Sequence, residues 1–179
     1  MRYLFFLALS AAPAFADTCP ANRDIAAAET DLYARIQALP SQAGVAPLNQ
    51  ELWGLWTSAP DEAAQELLDQ GMEALRLGDF GVAAEQLDAL IEYCPDYAEG
   101  YNQRAFVHYL SFEFEPALEL LDEAERRSPR HTGVLTGKAL TLINLGRSDD
   151  AQEPLKRAVA LNPWLSERAL LVEPPGEEL

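Results

Sequence analysis

The chain is short of the residues on which catalysis and metal binding depend. Its 179 residues include two histidines, two cysteines and two methionines. His108 and His131 fall on different segments, no cysteine or histidine pair has zinc-ligand spacing, and no glycine-rich phosphate loop is present. The acidic pairs Asp149-Asp150 and Glu177-Glu178 are adjacent in sequence on polar segments and imply no pocket. The expectation is therefore a protein that is not an enzyme, with no catalytic residues, no metal and no cofactor. Positive charge is scarce too: 13 Lys and Arg stand against 29 Asp and Glu, a net charge of −16. Nucleic acid and anionic membrane surfaces would repel such a chain, which excludes both as partners. Beyond the N-terminus no apolar run approaches the length of a bilayer span.

What is present begins with a targeting pattern. Arg2 supplies a positive charge, Tyr3 to Leu9 is a short apolar run, and Ala14-Phe15-Ala16 offers small residues at the positions a signal peptidase inspects. Residues 1–16 are expected to be a signal peptide, cleaved after Ala16, and the mature protein to be periplasmic without stable membrane insertion. Export gives the two cysteines an oxidising compartment, where Cys19 and Cys94 have only each other to pair with. A Cys19–Cys94 disulfide is the favoured expectation, against the alternative of two unrelated thiols. Hydrophobic content of 49% is sufficient for a sizeable core.

Residues 17–63 form an N-terminal helical extension. Asp24 to Leu39 places Ile25, Ala28, Leu32, Ile36 and Leu39 at helical spacing, and Pro40 to Gly44 breaks the pattern. Leu48 to Trp56 predicts a second short helix. Trp53 and Trp56 are expected to plug the open end of whatever array follows; a ligand-stacking platform is the other reading.

From residue 64 to 165 the chain repeats itself every 34 residues. Pro95, Pro129 and Pro163 mark the period, and Gly71/Ala105/Ala139, Ala83/Ala117/Ala151, Leu87/Leu121/Leu155 and Leu90/Ala124/Ala158 recur in phase. Small, large and proline positions kept in register predict an all-α helical solenoid of three helix pairs, 64–97, 98–131 and 132–165. The helix pairs are Asp61 to Leu77 with Val82 to Tyr93, Ala98 to Leu110 with Glu115 to Arg127, and Thr132 to Leu145 with Asp149 to Leu161. Gly78 and Gly146 suit left-handed helix ends. The small residues of each first helix are expected to face Ala83, Ala117 and Ala151 on the second. Pro116 is tolerated in a first turn, whereas Pro154 lies deeper and should kink or delay its helix. Ser166 to Val172 predicts a short capping helix, and the rest of 166–179 a polar tail.

These phases, with Leu67, Tyr101 and Leu135 at the large first position and the turn Gly78-Asp79-Phe80, resemble the tetratricopeptide repeat. The resemblance implies a right-handed superhelix whose first helices line a concave, peptide-receiving groove. Carried over position by position, the groove would be lined by Leu68, Met72 and Leu75, then Asn102, Phe106 and Tyr109, then Thr136, Leu140 and Ile143. No lysine stands at the positions where one subfamily grips C-terminal carboxylates, so that clamp is absent. Asn102 is expected to hold a peptide backbone through its amide. Arg104 and Lys138 should run their stems along the helix pair with the charge at its edge. Arg126, Arg127, Arg130 and His131 form the one basic spot, read as charge placed at a helix C-terminus. More loosely, Tyr97 to Ala105 with Leu52 to Trp56 resembles exported repeat proteins of alphaproteobacteria, which brings a compartment and no activity. The function expected is a periplasmic protein–protein interaction scaffold or adaptor; the alternative is a chaperone-like or assembly accessory factor for envelope proteins. The partner's identity is not encoded.

Overall fold

The computed structural model describes residues 18–172. The expected signal peptide and the tail beyond Val172 lie outside the described residues. Among those residues, the repeat region folds into three antiparallel helix pairs: α3 (Glu62–Leu77) with α4 (Phe80–Tyr93), α5 (Ala98–Leu110) with α6 (Phe114–Arg127), and α7 (Thr132–Asn144) with α8 (Ser148–Leu161). Ahead of them lie α1 (Ala26–Gln37) and α2 (Val45–Trp56).

The helix ends repeat as faithfully as the helices. Asp61 caps α3 by accepting the Ala64 amide (2.9 Å) and also receives the Tyr93 hydroxyl (2.7 Å) from α4. These two bonds hold its carboxyl below the usual range. At the other end of α3, Asp79 N–H donates to Ala74 O (2.9 Å) and Gly78 N–H to Leu75 O (3.0 Å), the paired bonds that close a helix through a left-handed residue. The same pair recurs at Glu113/Phe112 and at Arg147/Gly146. Gly78 and Gly146 take this conformation freely, with φ of 77° and 74°, but the middle turn forces Phe112 to φ 61°.

Packing follows the phases. Ala83, Leu87 and Leu90, with their counterparts in the later repeats, are all buried. Gly71 stands in the expected close approach of α3 to α4: a side chain there would meet Leu87, its Cβ lying 2.7 Å from the Leu87 Cγ. Pro154 does not delay α8, which starts at Ser148. The carbonyl it leaves free belongs to Asp150, an exposed residue at the solvent side of the helix start. Successive repeats pack α4 on α5 and α6 on α7, and α3, α5 and α7 also touch in series. Because the first helices meet one another directly, they line the inside of the curve. Ion pairs in register join neighbouring repeats: Arg104 with Asp88 (2.7 Å) and Lys138 with Asp122 (2.7 Å). After α8, the expected short C-terminal helix is a 3-10 helix, Ser166–Leu170, and Leu171 beyond it packs on the last core cluster.

The N-terminal helices are not placed as expected. They do not plug the open face of the first repeat; they lie as a strap across the loops that join the helix pairs. Cys19 is disulfide-bonded to Cys94 in the first loop. Asn22 donates to Asp96 O (2.6 Å), and Tyr97 donates to Trp56 O (2.6 Å). At the second loop Tyr33 donates its hydroxyl to Arg130 O (2.5 Å), and Arg130 donates to Thr30 (2.7 Å). Burial pushes the Tyr33 hydroxyl up to about 12. At the end of α8 and just beyond it, Gln37 donates to Ala160 O (2.8 Å), Trp164 to Ile36 O (3.1 Å) and Asn162 to Asn49 (3.0 Å). Leu161 and Trp164 complete the α1–α2 core of Leu32, Tyr33, Ile36, Leu48, Leu52 and Trp56.

Candidate functional site

The strap, α5 and α7 enclose an open cavity of about 290 Å³ on the inner face. α5 contributes Asn102, Phe106 and Tyr109 at one-turn intervals, α7 contributes Thr136 and Leu140, and α2 contributes Trp53. Gly133 and Gly137, one turn apart on α7, keep that wall low, and Ala105 and Leu121 form the floor. The walls are apolar yet open: Phe106 is 48% and Trp53 36% exposed.

Five of the nine groove positions therefore line one cavity: Asn102, Phe106, Tyr109, Thr136 and Leu140. The other four do not. Leu68 is fully buried in a cluster with Ala64, Tyr97 and Val107, Met72 and Leu75 pack against that cluster, and Ile143 packs on the Ala139–Leu155 core. Repeat one is closed where repeats two and three are open, because Ala59, in the link from α2, packs on the same cluster.

Behind the cavity is a buried polar cluster that sequence reading missed. Glu99 is almost completely buried and accepts from Gln103 Nε2 (2.5 Å), Asn102 Nδ2 (3.2 Å to each oxygen) and His131 Nε2 (2.9 Å). His131 caps α7: its Nδ1 accepts the Val134 amide (3.2 Å), which fixes the ring proton on Nε2, facing Glu99. Trp56 stacks on His131 at 3.7 Å and donates to buried Glu29 (2.8 Å). A glutamate at a groove-facing phase, where the other repeats hold Gln65 and Gly133, was the available signal.

The basic spot is spent internally. Arg127 lies over the Tyr101 ring (4.0 Å) and donates to Pro95 O (2.6 Å), Arg126 pairs with Glu123, and His131 is inside the polar cluster. Among the described residues no three His, Cys, Asp or Glu are grouped to hold a metal, and no helix is long and apolar enough to cross a membrane.

A curved array of helix pairs around an open aromatic cavity defines a helical-repeat binding scaffold. No family model matches the chain. It is 31% identical over 128 residues to tetratricopeptide repeat protein 36 of Mus musculus, covering 68% of each chain. It is 25% identical over 108 residues to a TPR repeat-containing protein of Rhizobium etli, covering 60% of this chain and 53% of that one. Among solved structures, the TPR2B domain of yeast Sti1 in complex with pHsp70 superposes with a TM-score of 0.56 at 24% identity, over 60% of this chain and 90% of that one. A thermophilic TPR protein of Thermus thermophilus gives 0.53 at 22%, over 75% of each. At these identities the structural likenesses establish the fold. The chain belongs to the tetratricopeptide repeat family.

Proposed function

We propose that the chain is an exported adaptor that holds a segment of a partner protein in the cavity between α2, α5 and α7. The observation that carries this reading is the pair Phe106 and Tyr109. They stand one turn apart on the inner face, in an open apolar cavity, within a family whose fold serves protein–protein interaction. The signal-like residues 1–16 and the Cys19–Cys94 bond support an oxidising, periplasmic setting.

The test compares the mature protein with a Phe106→Ala, Tyr109→Ala double variant in affinity capture from a periplasmic extract. One discrete partner, lost in the variant by at least about tenfold, is the expected result. Capture of many unfolded chains would point instead to a chaperone-like role. Binding unchanged in the variant would remove the cavity from the function. Mass spectrometry of the secreted, unreduced protein checks cleavage after Ala16.

A further inference from the structure

We infer that the cavity selects a cationic side chain, arginine in particular, carried on an otherwise apolar segment of the partner. The inference rests on the adaptor reading and narrows it. It starts from Glu99. A carboxylate offers only acceptors, so the amides beside it must turn their NH2 groups inward, and Asn102 Nδ2 and Gln103 Nε2 both do. Each amide then keeps a carbonyl oxygen, and Gln103 keeps its second N–H besides. Among the described residues no donor meets either oxygen, and no buried side-chain oxygen or nitrogen is left unpartnered, so both are reached by solvent, on two residues that line the cavity. If Asn102 holds a ligand through its amide, the free group is thus the carbonyl oxygen, because the NH2 group faces Glu99.

Thr136 adds a third acceptor, because its hydroxyl proton is committed to Gly133 O (3.2 Å). Tyr109 alone retains an O–H to donate, since its oxygen accepts from Asn144 Nδ2 (3.1 Å). A carboxylate or carbonyl ligand would find little to pair with here, and entering would leave acceptors facing acceptors. A guanidinium brings five donors in a plane and stacks on aromatic faces. Trp53, Phe106 and Tyr109 supply such faces on both sides of the cavity. Glu99 accepts from Gln103, Asn102 and His131, and its carboxylate lies behind the acceptors, within a chain of net charge −16. The apolar floor and Leu140 accommodate the neighbours of the basic residue.

The probes are three synthetic peptides, acetyl-Ala-Leu-Xaa-Leu-Ala-amide, in which Xaa is arginine, its uncharged near-isostere citrulline, or glutamate. They are titrated calorimetrically into the mature, disulfide-bonded protein. The arginine peptide should bind about tenfold more tightly than the citrulline peptide, and the glutamate peptide should show no measurable binding. Phe106→Ala, at an exposed position, should weaken the arginine peptide about tenfold with unchanged thermal stability. Gln103→Leu should narrow the arginine-over-citrulline preference. Equal binding of arginine and citrulline, preference for glutamate, or no binding of any peptide overturns the inference. If a partner captured from the extract still depends on Phe106 and Tyr109, the adaptor reading survives that loss. If capture is equally indifferent to both residues, the two readings fall together.

Discussion

Two glycines in helix interiors should respond to the same substitution with opposite signs. Gly54 sits inside α2 with nothing within 4 Å of where a Cβ would stand. Replacing it by alanine recovers helix propensity at no steric cost and should stabilise the protein by about 1 kcal/mol. Gly71, inside α3, has the same propensity to gain. Its Cβ, however, would lie 2.7 and 2.8 Å from the Leu87 Cγ and Cδ2. Leu87 is fully buried and cannot swing aside without disturbing Ala83 and Leu90. Overpacking of that kind costs about 1–3 kcal/mol, so against the propensity gain Gly71→Ala should destabilise by about 1 kcal/mol. The two variants should then differ by about 2 kcal/mol, or roughly 4–8 °C in Tm for a chain of this size. Thermal and urea unfolding measure both. A double-mutant cycle with Leu87→Ala isolates the clash, because Gly71→Ala should be better tolerated once Leu87 is truncated. If Gly71→Ala stabilises as much as Gly54→Ala, α3 and α4 are not in the close approach described and the packing argument is wrong.

Phe112→Gly should relieve the left-handed strain in the middle turn. Strain relief of about 1–2 kcal/mol outweighs the entropy lost to glycine, giving a net gain of about 0.5–1 kcal/mol by chemical denaturation; a loss would mean that the edge contact with Phe114 matters more. Removing the disulfide with Cys19→Ala and Cys94→Ala opens a loop spanning 75 positions. It should cost about 4 kcal/mol, a fall of about 10 °C in Tm, whereas an unchanged Tm would show that the strap is ordered without it. Tyr33 holds its proton more tightly when folded. The stability it contributes is complete below the usual tyrosine range and is lost as pH rises through about 12. Absorbance titration at alkaline pH should show two late-titrating tyrosines, Tyr33 and Tyr97, both pushed up by burial; Arg130→Ala should leave that of Tyr33 in place, since its acceptor is the backbone carbonyl, and detaching the strap should normalise it.

The six repeat helices were legible because two periodicities reinforce each other. Leu87, Leu121 and Leu155 announce a buried face through helical spacing and a repeat through the 34-residue phase, and each helix starts and ends within two residues of expectation. The cavity was legible through the resemblance: Asn102, Phe106, Tyr109, Thr136 and Leu140 are the family's inner-surface positions carried over in phase. Leu68 shares the phase of Asn102 and Thr136 and still falls in the core, because what covers it comes from outside the repeat. The strap was misplaced for a related reason. Several of its fastenings, those of Tyr33, Gln37 and Trp164, end on backbone carbonyls, which every residue carries and no sequence pattern marks. The direction of the Asn102 and Gln103 amides was hidden for the opposite reason: it depends on one side chain, Glu99, that departs from the repeat.

An array of helix pairs is mechanically a coil spring, and its pitch is normally free to change because each repeat touches only its neighbours. Here two joints of the coil and the end of its last helix are tied to one rod by covalent and hydrogen bonds at Cys94, Arg130 and Ala160. Such ties should narrow the range over which the coil can extend, so that its aperture widens less to admit a guest and less ordering is left for binding to bring about.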